Sequence, residues 1–373
     1  MAGAIKKRSG SWLVTLEMGR GPKGQRLRKY VTVKSKKEAE NILSEHQHKI
    51  NTCTFVLPDN MLFSDLLKHW LEHYVDTNCE VTTKSEYERI INKHIIPYLG
   101  KIELQKLAPL HIQQYYKYLM DKKKLSANTV YRHHANIRKS LDYALKKQLV
   151  VRNVADAVDL PRKKKFEGSF YTVEQLNRLL KEVAGTEIEV PVNLAAYLGL
   201  RRGEICGLKW KHVDFDNKTV HIQEVIARIN KEVITKVPKN ETSIRTLHIH
   251  KDLEKLLKNH KAKQKEYKEL LGRDYVASDY VCTKIDGGPF RPERLSDKFT
   301  SFLIQNKLPY IRLHDLRHTV ATLLIQSKIP VKNVSEMLGH SDITTTLKIY
   351  SHVLEEAKKE AAVKMGDLLK RRK

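Results

Sequence analysis

The chain has 373 residues, enough for two or three domains of ordinary size. Its formal net charge is +26, from 69 Lys and Arg against 43 Asp and Glu. An excess of this size favours a polyanionic partner, usually nucleic acid, although RNA, a heparin-like polymer or anionic lipid would also fit a basic surface. No run of 18 apolar residues is present, so no membrane span is expected, and the first residues lack the apolar core of a secretory signal. The four cysteines are widely spaced without a C-x-x-C pair, which argues against a zinc finger or a disulfide framework and fits a reducing cytosol.

The first 57 residues form a basic segment with 12 Lys and Arg against 4 acidic residues. Residues 4–7, 12–18 and 26–33 have the composition of strands, and Ser35 is placed to cap a helix that runs to about residue 50. We expect a small three-stranded sheet backed by one helix, with a solvated basic hairpin as the alternative. We expect this segment to contact DNA phosphates or bases through Arg26, Arg28 and Lys29, together with Tyr30.

A helical region follows a turn at residues 58–60. Apolar spacings of three and four predict helices at 64–75, 83–96, 109–122 and 127–148, and Pro97 and Gly100 are expected to stop the second. We expect the fourth helix to lay a basic face across a DNA backbone; a charged helix in solvent is the alternative. That face is predicted to carry Arg132, His133, His134, Arg138, Lys139, Lys146 and Lys147.

The clearest domain boundary lies at residues 152–168, where Pro161 precedes four basic residues and then Gly168. This basic tether can lie along DNA, and it also has the composition of a nuclear-localisation patch. The chain is therefore predicted to divide into three domains, at 1–57, 61–160 and 168–373.

The third region mixes helices with a few strands. Thr172 and Gln175 have the spacing of a capping box that opens a helix. Further helices are predicted at 190–200, 253–271 and 299–306, and strands at 215–225, 232–237 and 246–250. The expected fold class is therefore α+β and multidomain: a three-stranded sheet with a helix, a four-helix domain, and a mainly helical domain with a small antiparallel sheet.

Residues 313–352 carry the most informative pattern. Two apolar stripes predict two helices that break at Pro330, and Gly339 suits the end of the second. Four side chains of this stretch carry suitable chemistry: the imidazoles of His314 and His340, the guanidinium of Arg317 and the phenol of Tyr350. The planar donors of a guanidinium match the oxygens of a phosphate, and an imidazole can transfer protons near neutral pH. A tyrosine hydroxyl becomes a nucleophile when nearby cations stabilise its developing negative charge. Each residue alone is commonplace, but the set suits attack on a phosphodiester.

Together with the upstream motifs, this pattern resembles the tyrosine recombinases of the phage-integrase family. The motifs, in chain order, are GLRRGEI, KNETSIR, HDLRHT and LGH, followed by Tyr350. The resemblance covers almost the whole chain and is strongest to integrases of phages and conjugative transposons. It rests on specific motifs in the C-terminal region and only on layout and composition in the N-terminal region. The resemblance implies that residues 1–57 form an arm-type DNA-binding domain, that 61–160 form a helical core-binding domain, and that 168–373 form a catalytic domain with a tail helix.

The resemblance implies a set of site residues. The implied catalytic residues are Arg201, Lys239, His314, Arg317, His340 and the nucleophile Tyr350, and Glu204 is implied as a supporting residue. Arg202 competes with Arg201, and Lys236 competes with Lys239; the spacing to Glu204 favours Arg201, and the turn favours Lys239. Leu198 stands where many family members have threonine.

The implied reaction cuts and rejoins DNA through a 3′-phosphotyrosine and a four-way junction, with no metal and no cofactor. The implied partners are double-stranded DNA with core and arm sites, a homotetramer on that DNA, a directionality factor and a host DNA-bending protein, in the bacterial cytoplasm at the nucleoid. Residues 354–368 predict an amphipathic tail helix that docks on a neighbouring protomer or packs on its own domain.

Three other functions compete with recombination. A metal-dependent nuclease would use the His314–His318 or His69–His73 pair, yet neither has the glutamate of H-E-x-x-H. A non-enzymatic DNA-binding regulator would lack a catalytic residue. A relaxing enzyme like the type IB topoisomerases would share the phosphotyrosine chemistry and act as a monomer.

Overall fold

The structure is a computed structural model, and it describes residues 3–20, 25–51, 60–163, 169–229, 232–236, 243–339, 342, 347, 362–367 and 369. The chain divides into two compact units, Met1–Lys165 and Phe166–Lys373. The assignment of three domains with separate roles stays a prediction. Among the described residues, no helix combines the length and the apolar character needed to cross a bilayer.

The N-terminal module is the predicted three-stranded sheet with one helix. Its elements are β1 (Gly3–Arg8), β2 (Ser11–Arg20), β3 (Arg26–Val33) and α1 (Lys36–Asn51). The strands are antiparallel in the order β1-β2-β3. Alternate residues of β2, Val14, Leu16 and Met18, turn inward and pack against Val33 and Ala39, as the period of two requires. Ser35 Oγ accepts a hydrogen bond from the Glu38 amide at 3.2 Å, which confirms the predicted cap.

Four helical segments build the rest of the first unit. They are α2 (Phe63–Trp70), α3 (Val81–Ile90), α4 (Pro109–Asp121) and α5 (Ala127–Lys146). The first continues through a π-helical turn, Leu71–Val75, into Asp76–Asn78. The apolar spacing that predicts this helix places Tyr74 on its buried side, but Tyr74 is 42% exposed and stacks on Trp70. The π turn contains one extra residue, and Val75, which is fully buried, takes the core-facing position instead.

The second helix extends beyond its predicted last residue, 96, and of the two predicted stop signals, Pro97 and Gly100, only Gly100 ends it. After α3 the helix continues through a π-helical turn, Ile91–Ile95, and through Ile96–Leu99. Proline removes an amide donor and crowds the carbonyl four residues earlier in an α-helix. In the wider turn, the Ile96 amide donates to the Ile91 carbonyl, five residues back. This change of pairing lets the helix pass Pro97 and end at Gly100.

The predicted basic face of α5 is partly wrong. His133 is only 1% exposed, and its Nδ1 forms a 2.8 Å hydrogen bond with the Tyr115 hydroxyl. His134 is half-buried and forms the same bond, also 2.8 Å long, with Tyr116. A period of 3.6 residues turns position 133 toward α4, and a tyrosine hydroxyl there satisfies the ring. Arg132, Arg138 and Lys139 are exposed, as are Lys146 and Lys147.

The second unit is mainly helical. Its helices are α6 (Val173–Glu182), α7 (Glu189–Leu198), α8 (Arg202–Gly207), α9 (Lys251–Leu271), α10 (Pro292–Gln305), α11 (Leu313–Gln326) and α12 (Val331–Leu338). The predicted capping box is confirmed, because the Gln175 amide donates to Thr172 Oγ1 and the Thr172 amide donates to Gln175 Oε1. The helix predicted at 299–306 begins earlier, at Pro292, because proline fits the first turn of a helix.

Short strands lie between α8 and α9 in the part of this segment that the structure describes. They are β4 (Val213–Asp214), β5 (Thr219–Ile222), β6 (Val225–Ile229), β7 (Glu232–Lys236) and β8 (Arg245–His248). Strands β4, β5 and β8 form an antiparallel sheet, and β6 pairs with β7. The single strand predicted at 215–225 is wrong. The Asp214 side chain accepts hydrogen bonds from the Asp216 and Asn217 amides at 3.0 and 2.9 Å, which closes a turn before β5.

The buried uncharged state of His133 makes the first unit sensitive to acid. Burial, followed by the charges of His94 and Arg89, lowers the pKa of His133 from 6.5 to about 4. The unfolded chain therefore binds this proton at a higher pH than the folded chain. Stability is complete above about pH 6.5 and falls by up to about 3 kcal/mol as the pH drops toward 4.

We expect His133→Gln, measured by urea unfolding of the whole chain, to lose less stability than wild type across this pH range. Equal losses in the two proteins would contradict this assignment.

Candidate active site

Arg201 lies where two helices meet. Helix α7 ends at Gly199 in the left-handed conformation, with φ of 60°, and Arg201 is the residue that precedes α8. A Cβ atom on Gly199 would stand 2.4 Å from Leu338 Cδ2, so a side chain there would collide with α12 as well as strain the backbone. The sequence Gly199-Leu200-Arg201 therefore ends α7 and leads into α8, and its glycine packs closely against α12.

The Glu204 carboxylate holds Arg201 at two points. It accepts hydrogen bonds from the Arg201 amide and from Arg201 Nη1, each 2.9 Å long. Arg201 Nη2 donates to the Gly339 carbonyl at 2.7 Å. The carboxylate is 1% exposed, whereas the Arg201 side chain is 35% exposed. Arg201 is thus fixed by Glu204 and Gly339, and part of its side chain remains accessible to solvent.

Arg317 is a buried arginine on α11. It is 1% exposed, and its Nη1 donates to the Gly199 carbonyl at 2.7 Å while its Nη2 donates to the Leu338 carbonyl. These carbonyls end α7 and α12, where the helix dipole favours a cation. Burial, followed by the charge of Arg201, lowers the pKa of Arg317 to about 9, so the guanidinium stays charged at neutral pH.

A third arginine, Arg245, completes this cluster and was missed from the sequence. Its Nη1 and Nη2 donate to the two Glu204 oxygens at 3.2 and 3.0 Å, and its Nε donates to the Met337 carbonyl at 2.7 Å. A signal was present, because Arg245 shares its phase on β8 with the buried Leu247. Arginine at a core-facing strand position requires partners, which marks it as part of a polar network.

The arginine cluster, defined as Arg201, Arg245 and Arg317, carries more positive charge than Glu204 balances. Burial alone would raise the pKa of Glu204, but the hydrogen bonds and charges of Arg245 and Arg201 outweigh it and hold the pKa below its usual value. The carboxylate is therefore ionised at neutral pH, and it neutralises one of three guanidinium charges. An anion bound beside the cluster would relieve the remaining repulsion.

His314 lies one turn before Arg317 on α11. The residue is exposed, yet partial desolvation, followed by the charges of His318 and Arg317, lowers its pKa. The rings of His314 and His318 meet edge to face at 5.0 Å. His314 is therefore neutral at pH 7 and can accept a proton. Among the described residues, no group of three or more His, Cys, Asp and Glu side chains is arranged to hold a metal ion.

The remaining candidates of the site divide into two groups. Lys239, His340 and Tyr350 lie outside the described residues, as does the side chain of Lys236. Arg202, the competitor of Arg201, donates from Nη1 to Ser296 Oγ on α10 at 3.0 Å and takes no part in the arginine cluster. The structure thus brings together Arg201, Glu204, Arg317 and Arg245.

The candidate DNA-binding residues of the first unit are exposed and mostly paired. Arg26, Arg28 and Tyr30 occupy one face of β3, and Lys29 occupies the opposite phase. Arg28 Nε donates to Glu17 Oε1 at 2.8 Å. On α5, the pairs are Arg132 with Glu86 at 3.1 Å, Arg138 with Asp156 at 2.6 Å and Lys139 with the Tyr87 hydroxyl at 2.9 Å. A phosphate would have to compete with these exposed partners, which is feasible because exposed pairs are weak.

The buried pairing of Glu204 predicts a pH-dependent contribution to stability. At pH 7, Glu204→Gln should lower the free energy of unfolding by roughly 3–5 kcal/mol, because the variant leaves two guanidinium groups without a counter-charge. Because the pKa of Glu204 is lowered in the folded chain, this contribution is fully present above the unfolded value of 4.5, begins to shrink below it, and is lost as the pH falls through the lower pKa of the folded chain.

Urea unfolding at pH 7 and at pH 4 measures the difference between wild type and Glu204→Gln, with Glu266→Gln on the exposed face of α9 as the control. A difference that does not shrink in acid would contradict the ionised state of Glu204.

Comparisons with known proteins agree with this geometry. The phage integrase family model matches residues 169–357, just over half of the chain, and the phage integrase N-terminal SAM-like domain matches residues 62–120. A tyrosine recombinase XerC-like protein of Caldanaerobacter subterraneus is 29% identical over 98% of both chains. The ICEBs1 integrase of Bacillus subtilis is 29% identical over 98% of this chain and 100% of its own length.

Among solved structures, the Tn1549 transposon integrase in complex with transposon right end DNA has the same fold. Its TM-score is 0.70 at 19% identity, over 80% of this chain and 98% of that one. The chain belongs to the phage integrase family and is a tyrosine-type site-specific recombinase, a DNA strand transferase.

Proposed function

We propose that this recombinase integrates or excises a mobile element by cutting and rejoining double-stranded DNA through a 3′-phosphotyrosine. The observation that carries the proposal is the arginine cluster, in which two guanidinium groups bind one buried carboxylate and a third lies within electrostatic reach of it. Such a cluster fits a phosphodiester, because guanidinium donors match phosphate oxygens and the phosphate supplies the missing negative charge.

Arg201 and Arg317 are proposed to hold the two non-bridging oxygens of the scissile phosphate. Arg201 uses one donor of Nη1 and one of Nη2 for Glu204 and Gly339, so each nitrogen keeps a second N–H for a ligand. Donors fixed before the reaction stabilise the charge that develops in the transition state. The loss of one such donor typically costs about 10²–10³ in rate.

Tyr350 is proposed as the nucleophile. A tyrosine has a pKa near ~10 and needs a proton acceptor to attack at neutral pH. Neutral His314 would take the phenolic proton as the oxygen–phosphorus bond forms. The bond from phosphorus to the 5′ oxygen then breaks, and Lys239 would protonate that leaving oxygen. His340 would donate a hydrogen bond to the phosphate.

The ester bond to tyrosine conserves the energy of the broken phosphodiester, so the reverse step needs no ATP. A 5′-hydroxyl from a partner strand attacks the phosphotyrosine and releases Tyr350. Two such rounds exchange two duplexes through a four-way junction. Each of four strands is cut once, and one tyrosine serves one strand, so we infer a homotetramer on DNA.

The first unit is proposed to bind the DNA that flanks the cleavage site. The N-terminal module would bind arm sites through Arg26, Arg28 and Lys29, and α5 would bind the core site through Arg132, Arg138 and Lys139. A small directionality factor and a host bending protein would select between integration and excision. The proposed place of action is the bacterial cytoplasm, on the nucleoid.

Covalent trapping tests this function. Wild type is incubated, in EDTA, with nicked duplexes drawn from the DNA that flanks its gene, and a protease-sensitive 3′-linked adduct is expected. Tyr350→Phe should bind the same DNA and form no adduct, because it lacks the attacking oxygen. Tyr310→Phe, at a tyrosine that is 63% exposed in the same unit, is the matched control and should form the adduct normally.

An adduct that persists in Tyr350→Phe, or that forms only with added divalent metal, would contradict the proposed route. If wild type bound the flanking DNA but formed no adduct, the result would favour the alternative function, a non-enzymatic DNA-binding regulator.

A further inference from the structure

Arg245 occupies a position where a strand faces the protein interior. It is the first residue of β8, its register partner on β5 is Ile222, and its side chain is 7% exposed. Both Ile222 and Leu247, two residues along β8, belong to the apolar core of the unit. A charged side chain at such a site is costly unless its partners satisfy it.

Its partners satisfy four of the five guanidinium donors. The fork formed by Nη1 and Nη2 meets both oxygens of Glu204, and Nη1 also donates to the Ser243 carbonyl at 3.1 Å. Nε donates to the Met337 carbonyl in the last turn of α12 at 2.7 Å. One planar group therefore connects β8 to α8 and to α12.

Both of these connections lead to the arginines that are proposed to hold phosphate. Glu204 binds Arg201 through its amide and its side chain. Met337 precedes Leu338 and Gly339, whose carbonyls accept from Arg317 and Arg201. If the Glu204 carboxylate or the last turn of α12 moved, the donors that face the ligand would move with it.

We propose that Arg245 is a positioning residue for DNA strand cleavage: it fixes the Glu204 carboxylate and the end of α12, and thereby sets the orientation of Arg201 and Arg317. This inference rests on the proposed function, because it assigns a further residue to the same reaction. Arg245 acts through its neighbours and needs no contact with DNA.

Lysine is the discriminating substitution. Arg245→Lys keeps the positive charge beside Glu204 but replaces a planar fork with a single ammonium group, which cannot engage two carboxylate oxygens and the Met337 carbonyl in the same plane. The substitution therefore keeps the charge beside Glu204 and changes only how firmly Glu204 and α12 are held in place. A displacement of about 1 Å in a reacting group can cost about 10²-fold in rate.

The experiment measures DNA affinity and cleavage separately in the full-length chain. For Arg245→Lys, we expect the Kd for a nicked site duplex to stay within about 3-fold of wild type, since Arg245 does not touch DNA. The rate of adduct formation at saturating protein should fall by about 10–100-fold. A Kd that rises with an unchanged cleavage rate would overturn the proposal, because a positioning residue acts on the reaction step.

Leu247→Ala is the matched control for stability. Leu247 lies two residues along the same strand and on the same face, and its truncation destabilises the core without touching the arginine cluster. We expect Leu247→Ala to lower Tm and to leave adduct formation near the wild-type rate, provided the temperature is well below its Tm. Equal rate losses in Leu247→Ala and Arg245→Lys would reduce Arg245 to a purely structural residue and overturn the proposal.

A double-mutant cycle tests the route through Glu204. If Arg245 acts through this carboxylate, the rate loss of Glu204→Gln with Arg245→Lys should be smaller than the product of the two single losses. A full product would mean that Arg245 acts independently of Glu204, against the proposal. A wild-type chain that forms no adduct would contradict the proposed function itself, whereas a normal wild-type adduct with an unimpaired Arg245→Lys would contradict this inference alone.

Discussion

The buried Glu204 carboxylate is the interaction on which the rest of the site depends. Two guanidinium groups, from Arg201 and Arg245, bind its oxygens, and Arg317 lies within electrostatic reach of all three groups. An ionised carboxylate with 1% exposure is costly unless it is paired, and three guanidinium groups would repel one another without it. The single negative charge of Glu204 stabilises the arginine cluster but neutralises only one of its three positive charges. The positive charge that remains favours the binding of a phosphate.

The second constraint comes from two helix ends. Helices α7 and α12 both stop at a glycine in the left-handed conformation, Gly199 and Gly339, and their terminal carbonyls point into the arginine cluster. Each guanidinium therefore has a fixed acceptor on the backbone, and Arg201 and Arg245 also bind the Glu204 carboxylate. Backbone acceptors at packed helix ends do not change rotamer, so the fold itself orients the side chains. Function at this site is thus a consequence of where two helices end.

The sequence predicted much of this, and its failures have identifiable causes. The family resemblance implied that Arg201, Glu204 and Arg317 belong to one site, and the structure brings them together. Local signals predicted the helix that carries Arg317 and the helix that ends at Gly339, because the helical period and a terminal glycine are both visible in neighbouring residues. Arg245 was missed because its partners, Glu204 and Met337, are 41 and 92 residues away along the chain, and only the inward phase of β8 hinted at them. Pro97 and His133 misled the helix predictions for a similar reason. A π-helical turn and a tyrosine on a neighbouring helix are tertiary solutions that local rules do not contain.

The central claim is that the arginine cluster acts by balancing the negative charge of a phosphate. It is tested most directly by comparing Arg201→Met with wild type on two nicked substrates, one with a phosphodiester and one with an uncharged methylphosphonate at the cut. On the phosphodiester, the variant should form the Tyr350 adduct about 10²–10³ times more slowly than wild type. On the methylphosphonate, which carries no charge to balance, the penalty should shrink by at least about tenfold. The same penalty on both substrates would contradict the account, because the guanidinium would then serve geometry alone.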